Sequence, residues 1–298
     1  MRQHIPVMLE EAISYLDVRP GGLYVDCTCG MAGHSEAILE RLGEGGHLIA
    51  RDADPESLAI ARERLARFGP RVTFEVGTFS QLEVPWPVDG LLADLGLSMV
   101  QLLTPERGFS FDADSELDMR LNRSIDTPNA GDIVNRSSEQ DIAGILETLG
   151  EERRGRARRI ARAILRARPV STAKSLATIV DRAVPWEGRL RPCTRTFQAL
   201  RMATTGELEE VTELVKRIPN VVAPGGRAVV ISFESLTDRV VKRGFQEMAR
   251  GGRAEILTRH VARPGDEEVR RNPASRSAKL RAVRMVAEAD SSRAGDTE

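Results

Sequence analysis

The sequence predicts an α/β protein with a doubly wound sheet into which an all-helical domain is inserted. From residue 23 to residue 96, short apolar runs alternate with amphipathic segments, which is the pattern of parallel strands joined by crossover helices. From about Leu103 to Thr205 the apolar runs stop, and only a polar loop and helical patterns remain. From residue 206 onward the alternation resumes. One sheet with an insertion after its fourth strand explains all three observations.

The first part of the sheet is predicted from apolar runs that end in polar residues or turns. These runs predict strands at 23–27, 47–51, 72–76 and 89–96. Helices are predicted between them at about 34–42 and 55–68. The second helix begins with Pro55, and proline is favoured in the first turn of a helix.

The remaining elements are predicted in the same way. After a polar loop at 107–130, helical patterns cover about 138–149, 151–168 and 171–184. The sheet is then completed by a helix at about 207–218, a turn at 223–226, a strand at 227–233, a helix at 236–250 and the strand-like runs AEILTR and KLRAVRMV.

These elements predict the domain organisation. We expect residues 1–103 to form the first part of the sheet domain and residues 206–287 the second part. Residues 104–205 are expected to form the inserted helical domain. Residues 288–298 are mostly small and polar, and we expect them to be a disordered tail.

Composition narrows the class of protein. Hydrophobic residues make up 41% and charged residues 29%, as in ordinary globular proteins. The three cysteines, Cys27, Cys29 and Cys193, lack Cys-x-x-Cys spacing, which favours a reducing compartment and argues against a zinc site, and we predict no metal. No apolar run approaches the ~20 residues that span a bilayer, so no membrane association is expected. We therefore expect a cytoplasmic protein.

The whole chain has a net charge of only −1, but one segment is strongly basic. Residues 153–168 contain eight arginines and no acidic residue, so this helix can neutralise phosphates as a patch. A solvated helix face is the alternative interpretation. Aromatic residues make up only 4% of the chain, which argues against an extensive base-stacking platform.

Polar residues at the predicted strand ends indicate a cofactor site. Asp26, Asp52 and Asp94 end three strands, and Gly30 and Gly33 lie in the turn after the first. Ligands of open parallel sheets bind at this edge, where glycines let a cofactor approach and an acid on the second strand can accept ribose hydroxyls. Three acids would repel a dinucleotide pyrophosphate but tolerate the cation S-adenosylmethionine. Methyl transfer is therefore favoured over hydride transfer, which stays as the weaker alternative.

Ordered motifs then resemble those of a known family, the small-subunit ribosomal RNA cytosine-N4 methyltransferases of the H type, formerly called MraW. The resemblance runs from His4 to about Arg284. The motifs are His4-Ile-Pro-Val-Met-Leu-Glu10, Asp26-Cys-Thr-Cys-Gly30, Gly33-His34-Ser35, Asp94-Leu-Gly96, Glu106-Arg-Gly-Phe-Ser-Phe111, Leu117-Asp-Met-Arg120, Gly150-Glu-Glu-Arg153, Thr194-Arg-Thr-Phe-Gln-Ala-Leu-Arg201, Ala223-Pro-Gly-Gly226, Asn272-Pro and Arg276-Ser-Ala-Lys-Leu-Arg281.

The resemblance implies a Rossmann-like S-adenosylmethionine-dependent methyltransferase sheet with a helical insertion. The implied reaction is N4-methylation of a cytidine in 16S ribosomal RNA, at position 1402 in the usual bacterial numbering. The implied cofactor contacts are Ala32, Gly33, His34, Asp52, Phe79, Asp94 and Gln101. In this scheme Asp52 holds the ribose, Phe79 lines the adenine slot unless it is a plain core aromatic, and the turn at 32–34 receives the methionine end.

Four segments depart from the family pattern. Ala32 replaces a glycine, and Ser98-Met-Val-Gln101 replaces Ser-Ser-Pro-Gln. Thr205 replaces an asparagine and Glu234 replaces a histidine. Asp94 and Glu234 are the candidate catalytic residues. For Glu234 the alternatives are a role toward the cytosine amino group, a lost phosphate contact, or an ordinary residue at a helix start.

Three functional hypotheses follow. The first is the ribosomal RNA cytosine-N4 methyltransferase, with Arg156, Arg158 and Arg162 contacting RNA. The second is a divergent paralogue that binds the same cofactor but methylates another RNA or is weakly active. The third is a small-molecule methyltransferase or an oxidoreductase, which would have no use for the arginine segment. Free 16S RNA and the assembled small subunit are alternative partners, and a homodimer is left open.

Overall fold

A computed structural model describes residues 5–188 and 190–287. The polar tail expected at 288–298 lies outside the described residues. Within the described part, the chain divides into two compact units: residues 1–96 with 210–298, called here the sheet unit, and residues 97–209, called here the helical unit. The divisions fall at 96/97 and 209/210, against 103/104 and 205/206 in the prediction. The first division comes earlier because Leu97 already packs on the core of the helical unit.

The sheet unit contains a sheet of seven strands in the order β3-β2-β1-β4-β5-β7-β6. The strands are β1 Leu23–Asp26, β2 His47–Asp52, β3 Val72–Val76, β4 Val88–Asp94, β5 Val222–Ser232, β6 Ala254–Ile256 and β7 Lys279–Met285. Strands β1 to β5 are parallel to one another. Strand β7 runs antiparallel to both β5 and β6, a reversal that the sequence pattern did not predict.

The chain's path creates a switch point between β1 and β4. From β1 the chain moves outward to β2 and β3, and it then returns to the other side of β1 to form β4 and β5. Ligands of doubly wound sheets bind in the crevice at the carboxyl ends of the strands beside such a switch. A ligand is therefore expected at the carboxyl ends of β1 and β4.

Helices occupy both units. They are α1 Leu9–Leu16, α2 Gly33–Leu42, α3 Pro55–Leu65, α4 Met99–Leu103, α5 Ala130–Arg136, α6 Glu139–Thr148, α7 Arg154–Ala167, α8 Ala173–Ala183, α9 Cys193–Thr205, α10 Glu207–Val221, α11 Ser235–Arg250 and α12 Asp266–Arg271. The sequence pattern missed α1, α4, α5, α9 and α12, which are short or carry polar residues on several sides.

Both faces of the sheet are buried. Strand residues alternate between two apolar layers, so that Tyr24 and Leu92 face α1, α2 and α3, whereas Val25 and Leu91 face α10 and α11. The apolar runs of the sequence are nearly continuous for this reason. A third core lies within the helical unit, built from α5 to α9 and the segment that contains Phe109 and Leu117.

Two local differences from the prediction have clear causes. Helix α3 ends at Leu65 and not near 68, and 3₁₀ turns continue to Arg71 across Gly69, whose φ is 57°, and Pro70. The turn expected at 223–226 is a bulge inside β5. The register there passes from Val88 opposite Val222 to Gly90 opposite Arg227.

Candidate cofactor-binding and active site

Three acids lie side by side where the central strands end. Asp26, Asp52 and Asp94 are the last residues of β1, β2 and β4. Strands β2, β1 and β4 are consecutive in the sheet, so the structure brings the three predicted acids to one edge. Asp26 and Asp94 flank the switch point, where a ligand is expected.

Asp26 is almost completely buried, with 1% of its surface exposed. Its Oδ2 accepts a hydrogen bond from the Ser35 hydroxyl at 2.6 Å, and its Oδ1 accepts one from the Thr28 backbone N–H at 3.1 Å. Burial raises the pKa of Asp26 to about 6, and these two hydrogen bonds limit the rise.

Asp52 holds the turn that follows β1. Its Oδ2 accepts from the backbone N–H of Gly30 at 2.8 Å, and its Oδ1 accepts from that of Asp54 at 2.9 Å. Each oxygen keeps a second lone pair, so the carboxylate can still accept two ligand hydroxyls. Burial raises the pKa of Asp52 to about 7, so the charge of this group changes near neutral pH.

Asp94 is held by its backbone and not by its carboxyl. Its N–H donates to the Thr28 hydroxyl at 2.6 Å. No described residue donates a hydrogen bond to its buried Oδ1, which is therefore available to a ligand. Burial, followed by the charges of Asp26 and Glu268, holds the pKa of Asp94 well above its usual range.

His34 lies beside Asp94 in a defined orientation. Its Nε2 is 3.0 Å from the carbonyl oxygen of Val7, and a carbonyl only accepts, so Nε2 carries the proton. Its Nδ1 therefore faces Asp94, 3.8 Å from Oδ2.

The glycine turn also has a structural role. Ala32 takes the left-handed conformation, with φ 63°, directly before α2. A Cβ on Gly33 would lie 2.2 Å from a Pro6 side-chain carbon, so Gly33 is required by the N-terminal segment packed against it. Gly30, with φ 50°, presents its N–H to Asp52. Of the two predicted glycines, Gly30 is the one that needs a positive φ.

Phe79 lies in a short 3₁₀ turn after β3 and is partly buried against the apolar layer that contains Val25. Arg51 organises this turn. Its guanidinium donates to Glu75 at 2.7 Å and to the carbonyl oxygens of Thr78 at 3.3 Å and Gln81 at 2.8 Å. Sequence reasoning missed Arg51, although an arginine inside an apolar strand directly before Asp52 was a visible signal.

Glu234 lies two residues after the end of β5, at the same sheet edge. It is the N-cap residue of α11, and its carbonyl oxygen accepts from the Asp238 N–H at 3.2 Å. Within the described residues its side chain makes no capping hydrogen bond to the helix. Phe233, the residue before it, lies 3.4 Å from the position that a Cβ on Gly96 would take, just after β4.

Gln101 belongs to the helical unit. It is buried in the first turn of α4, where it exchanges capping hydrogen bonds with Ser98: its Oε1 accepts from the Ser98 N–H at 2.9 Å. Its predicted contact with the cofactor stays a prediction.

The arginine segment forms α7, which buries Ala157, Ile160 and Ile164 in the core of the helical unit. Its opposite face carries a shallow groove of about 570 Å³. Four arginines line this groove: Arg158, Arg159, Arg162 and Arg166. Arg162 also pairs with Glu139 at 2.8 Å.

Arg156 differs from its neighbours. Its side chain is 14% exposed, and it pairs with Glu152 at 3.2 Å and Glu187 at 3.3 Å. Its guanidinium therefore stabilises the helical unit, whereas the groove arginines present their charge to solvent.

The strand-end acids fit one class of cofactor. A pyrophosphate would bring negative charge against Asp26 and Asp94, whereas S-adenosylmethionine carries a sulfonium and an ammonium group. Its ribose hydroxyls match the spare lone pairs of Asp52, and the open Oδ1 of Asp94 offers an acceptor for a cationic or donor group. The fold and site are those of a Rossmann-like S-adenosylmethionine-dependent methyltransferase.

The chain belongs to the MraW methylase family, whose model matches residues 1–286. A protein from Solibacter usitatus is 50% identical over 288 residues, covering 95% of this chain and 99% of the relative. A protein from Acidobacterium capsulatum is 48% identical over 293 residues, covering 94% and 98%. Both relatives are named ribosomal RNA small subunit methyltransferase H. An O-methyltransferase structure from Thermotoga maritima aligns with 97% of this chain and 70% of its own at a TM-score of 0.46 and 12% identity, too distant to support any argument.

Two further features bear on the class of protein. Within the described residues, no helix has the length and apolar character that crossing a membrane requires. In the same part of the chain, no three His, Cys, Asp or Glu side chains are grouped as metal ligands would be.

The raised pKa of Asp52 predicts how cofactor affinity depends on pH. A carboxyl whose pKa is raised to about 7 is partly protonated at neutral pH, and a cationic ligand favours its ionised form. S-adenosylmethionine affinity should therefore rise as pH increases from 6 to 8. Asp52→Asn should weaken binding by about 1.5–3 kcal/mol, or about 10- to 150-fold at pH 8, since a charged acceptor is lost. It should also remove the part of the pH dependence centred near 7, as measured by calorimetry.

Asp89 offers a matched control. It accepts a backbone hydrogen bond from Leu23 at 2.8 Å, as Asp52 does from Gly30, but it lies near the start of β4, at the opposite edge of the sheet. Asp89→Asn should leave cofactor affinity unchanged. Unaltered affinity in Asp52→Asn would mean that this acid does not hold the ribose.

Proposed function

We propose that this methyltransferase transfers a methyl group to the exocyclic N4 of a cytidine in 16S ribosomal RNA, position 1402 in the usual bacterial numbering. Relatives named for the small ribosomal subunit, 50% and 48% identical over nearly their whole length, support this substrate class. The strand-end acids support a reaction in which a cationic cofactor meets a weakly basic amine.

The observation that carries the proposal is the buried Oδ1 of Asp94 at the switch point, which accepts no hydrogen bond from the described residues. The N4 amino group is a poor nucleophile because its lone pair is delocalised into the cytosine ring. Its methylation therefore needs an acceptor that orients the two N–H bonds and takes the proton that is released. When bound, S-adenosylmethionine supplies the electrophilic methyl group.

Asp94 fulfils both requirements in this scheme. In its ionised form it accepts a hydrogen bond from N4, which directs the nitrogen lone pair away from the carboxylate. As the nitrogen becomes positive, its proton passes to Oδ1. A pKa well above the usual range favours the protonated acid that results. Nδ1 of His34 lies 3.8 Å from Oδ2. With the imidazole proton on Nε2, Nδ1 can only accept, so it favours the protonated form of Asp94.

The chain must also present the base. A cytosine inside a helix cannot reach the end of a strand in a sheet, so it must leave its stack. Alignment of N4 with the methyl group is worth ~7–11 kcal/mol at most, and proton acceptance ~100- to 10,000-fold in rate. By these magnitudes, positioning of the base lowers the activation barrier more than proton acceptance by Asp94 does.

The groove arginines of α7 are proposed to bind RNA phosphates. Arg158 and Arg162 were predicted for this role, and Arg159 and Arg166 share the same face. Arg156 was predicted with them, but its pairs with Glu152 and Glu187 suit a supporting role better.

We place the protein in the cytoplasm. Free 16S RNA and the assembled subunit stay alternative substrates, and a homodimer stays an alternative to a monomer.

A second candidate is a divergent enzyme with the same cofactor and another RNA target or weak activity. Glu234 favours it, because a glutamate stands where the family has a histidine, at the same sheet edge as the strand-end acids. Thr205 is the second such position, because it stands where the family has an asparagine. Its hydroxyl donates within its own helix to the carbonyl oxygen of Arg201 at 3.0 Å.

Mass spectrometry of ribosomal RNA nucleosides, from cells with and without the gene, tests the proposed function. We expect N4-methylcytidine to be lost from 16S RNA in the deletion strain and to return with the wild-type gene but not with Asp94→Asn. Unchanged N4-methylcytidine together with the loss of another methylated nucleoside would support the divergent enzyme instead.

The arginine groove predicts a salt-dependent RNA affinity. Replacing Arg158, Arg159 and Arg162 together by glutamine should weaken RNA binding and reduce the salt slope by up to ~0.7 for each contact with single-stranded RNA. Cofactor affinity should not change. The same number of substitutions at exposed cations of the sheet unit, Arg19, Lys216 and Arg253, provides the control. An equal salt slope in both triple variants would identify α7 as a merely solvated face.

Glu234 is expected to act on the amine and not on phosphate, because an ionised carboxylate accepts hydrogen bonds but repels phosphate. Glu234→Gln should lower the methylation rate about tenfold while RNA affinity stays within twofold, since one hydrogen-bond acceptor is weakened. Single-turnover kinetics and filter binding separate the two effects. Tighter RNA binding by Glu234→His with no gain in rate would show instead that the position once bound phosphate.

A further inference from the structure

The side chain of Trp186 is unusually exposed for a tryptophan. It is 66% accessible and lies just after α8, in the helical unit. The sequence contains only one other tryptophan, Trp86, which is 72% exposed in the sheet unit. Trp186 therefore presents a large apolar ring to solvent, where it can contact a binding partner.

The backbone around Trp186 is anchored on both sides by one arginine. A guanidinium nitrogen of Arg156 donates to the Pro185 carbonyl oxygen at 3.1 Å and pairs with Glu187 at 3.3 Å. The other side of the guanidinium pairs with Glu152, which is only 7% exposed. Both chain neighbours of Trp186 are thus contacted by the same guanidinium group.

The anchor joins the segment that contains Trp186 to the helix that carries the arginine groove. Arg156 belongs to the same helix as Arg158 and Arg159, which line the groove, and Ala183, three residues before Trp186, lines it as well. The lining residues are Gly155, Arg158, Arg159, Arg162, Ala163, Arg166 and Ala183, and none of them is acidic. An exposed indole thus lies three residues along the chain from the lining of a groove whose charged residues are all arginines.

We propose that Trp186 stacks on an unpaired base of a single-stranded RNA segment whose phosphates follow the arginine groove, with Arg156 as its positioning residue. The inference rests on the proposed function, because it assigns this RNA to the enzyme's substrate. Single-stranded nucleic acids are bound by this combination, in which cations neutralise the backbone and aromatic rings stack on the bases. A single indole suffices here, in agreement with the low aromatic content of the chain.

Fluorescence distinguishes stacking from mere proximity. In Trp86→Phe, Trp186 is the only tryptophan, and a single-stranded oligonucleotide with the sequence around the target cytidine should quench its emission. A fully base-paired duplex of the same sequence should bind through its phosphates but quench much less, because its bases are not free to stack. In Trp186→Phe, the emission of Trp86 should not respond to either RNA.

Affinity provides the second measurement. Trp186→Ala should weaken binding of the single-stranded oligonucleotide by about tenfold, within the range known for base–aromatic stacking. Trp186→Phe should retain most of the affinity. The salt slope should stay that of the wild type in both variants, since no phosphate contact is lost. Trp86→Ala is the matched control, and it should change neither affinity nor slope.

The outcomes separate this inference from the proposed function. If the oligonucleotide binds without quenching Trp186, or if Trp186→Ala binds it normally, stacking is overturned while methylation of 16S RNA still stands. If Trp186 emission responds to a protein of the small subunit and not to RNA, the site belongs to a protein partner. If the wild type leaves 16S RNA unmethylated but single-stranded RNA quenches Trp186, the substrate is wrong and the stacking site is retained.

Discussion

The burial of three carboxyl groups at adjacent strand ends is the constraint on which the site depends. Removing a carboxylate from water costs several kcal/mol unless hydrogen bonds or an opposite charge compensate. Asp26 and Asp52 are partly compensated by donors from Ser35, Gly30 and other neighbours, but Oδ1 of Asp94 receives no hydrogen bond from the described residues. The uncompensated part appears as raised pKa values, and a cationic cofactor relieves it. The same electrostatic cost favours a cationic cofactor and, in the proposed mechanism, makes Asp94 a proton acceptor.

The helical unit accommodates many like charges on one helix. Helix α7 carries many arginines without unfolding, because Ala157, Ile160 and Ile164 occupy one buried stripe and the guanidinium groups point away from it. Mutual repulsion is tolerable at an exposed face, where water and salt screen the charges. Arg156 lies at the edge of that face, and there the acids Glu152 and Glu187 hold it. The same helix therefore contains both solvent-facing cations and an internal ion pair.

The site residues could be predicted as far as their position depends on local sequence. A polar residue that ends an apolar strand lies at the sheet edge whatever surrounds it, so the acids at 26, 52 and 94 were found. Their supporting partners could not be found in this way. Thr28 meets Asp94 across 66 positions of sequence, and Glu268 reaches the Met8 N–H across 260. The contact that requires a glycine at position 33 could not be found for the same reason, since it comes from Pro6.

The sequence by itself determined the strands, most longer helices, the existence of the insertion and the acids at the strand ends, because periodicity and turn residues act over a few positions. Only the tertiary structure decided the reversed β7, the proton on Nε2 of His34, the Arg51 support of the Phe79 turn and the pairing of Arg156. Each of these depends on which distant segment supplies a partner. A hydrogen bond or ion pair needs atoms within about 3–4 Å, and it is the packing of elements far apart in the chain that brings them there.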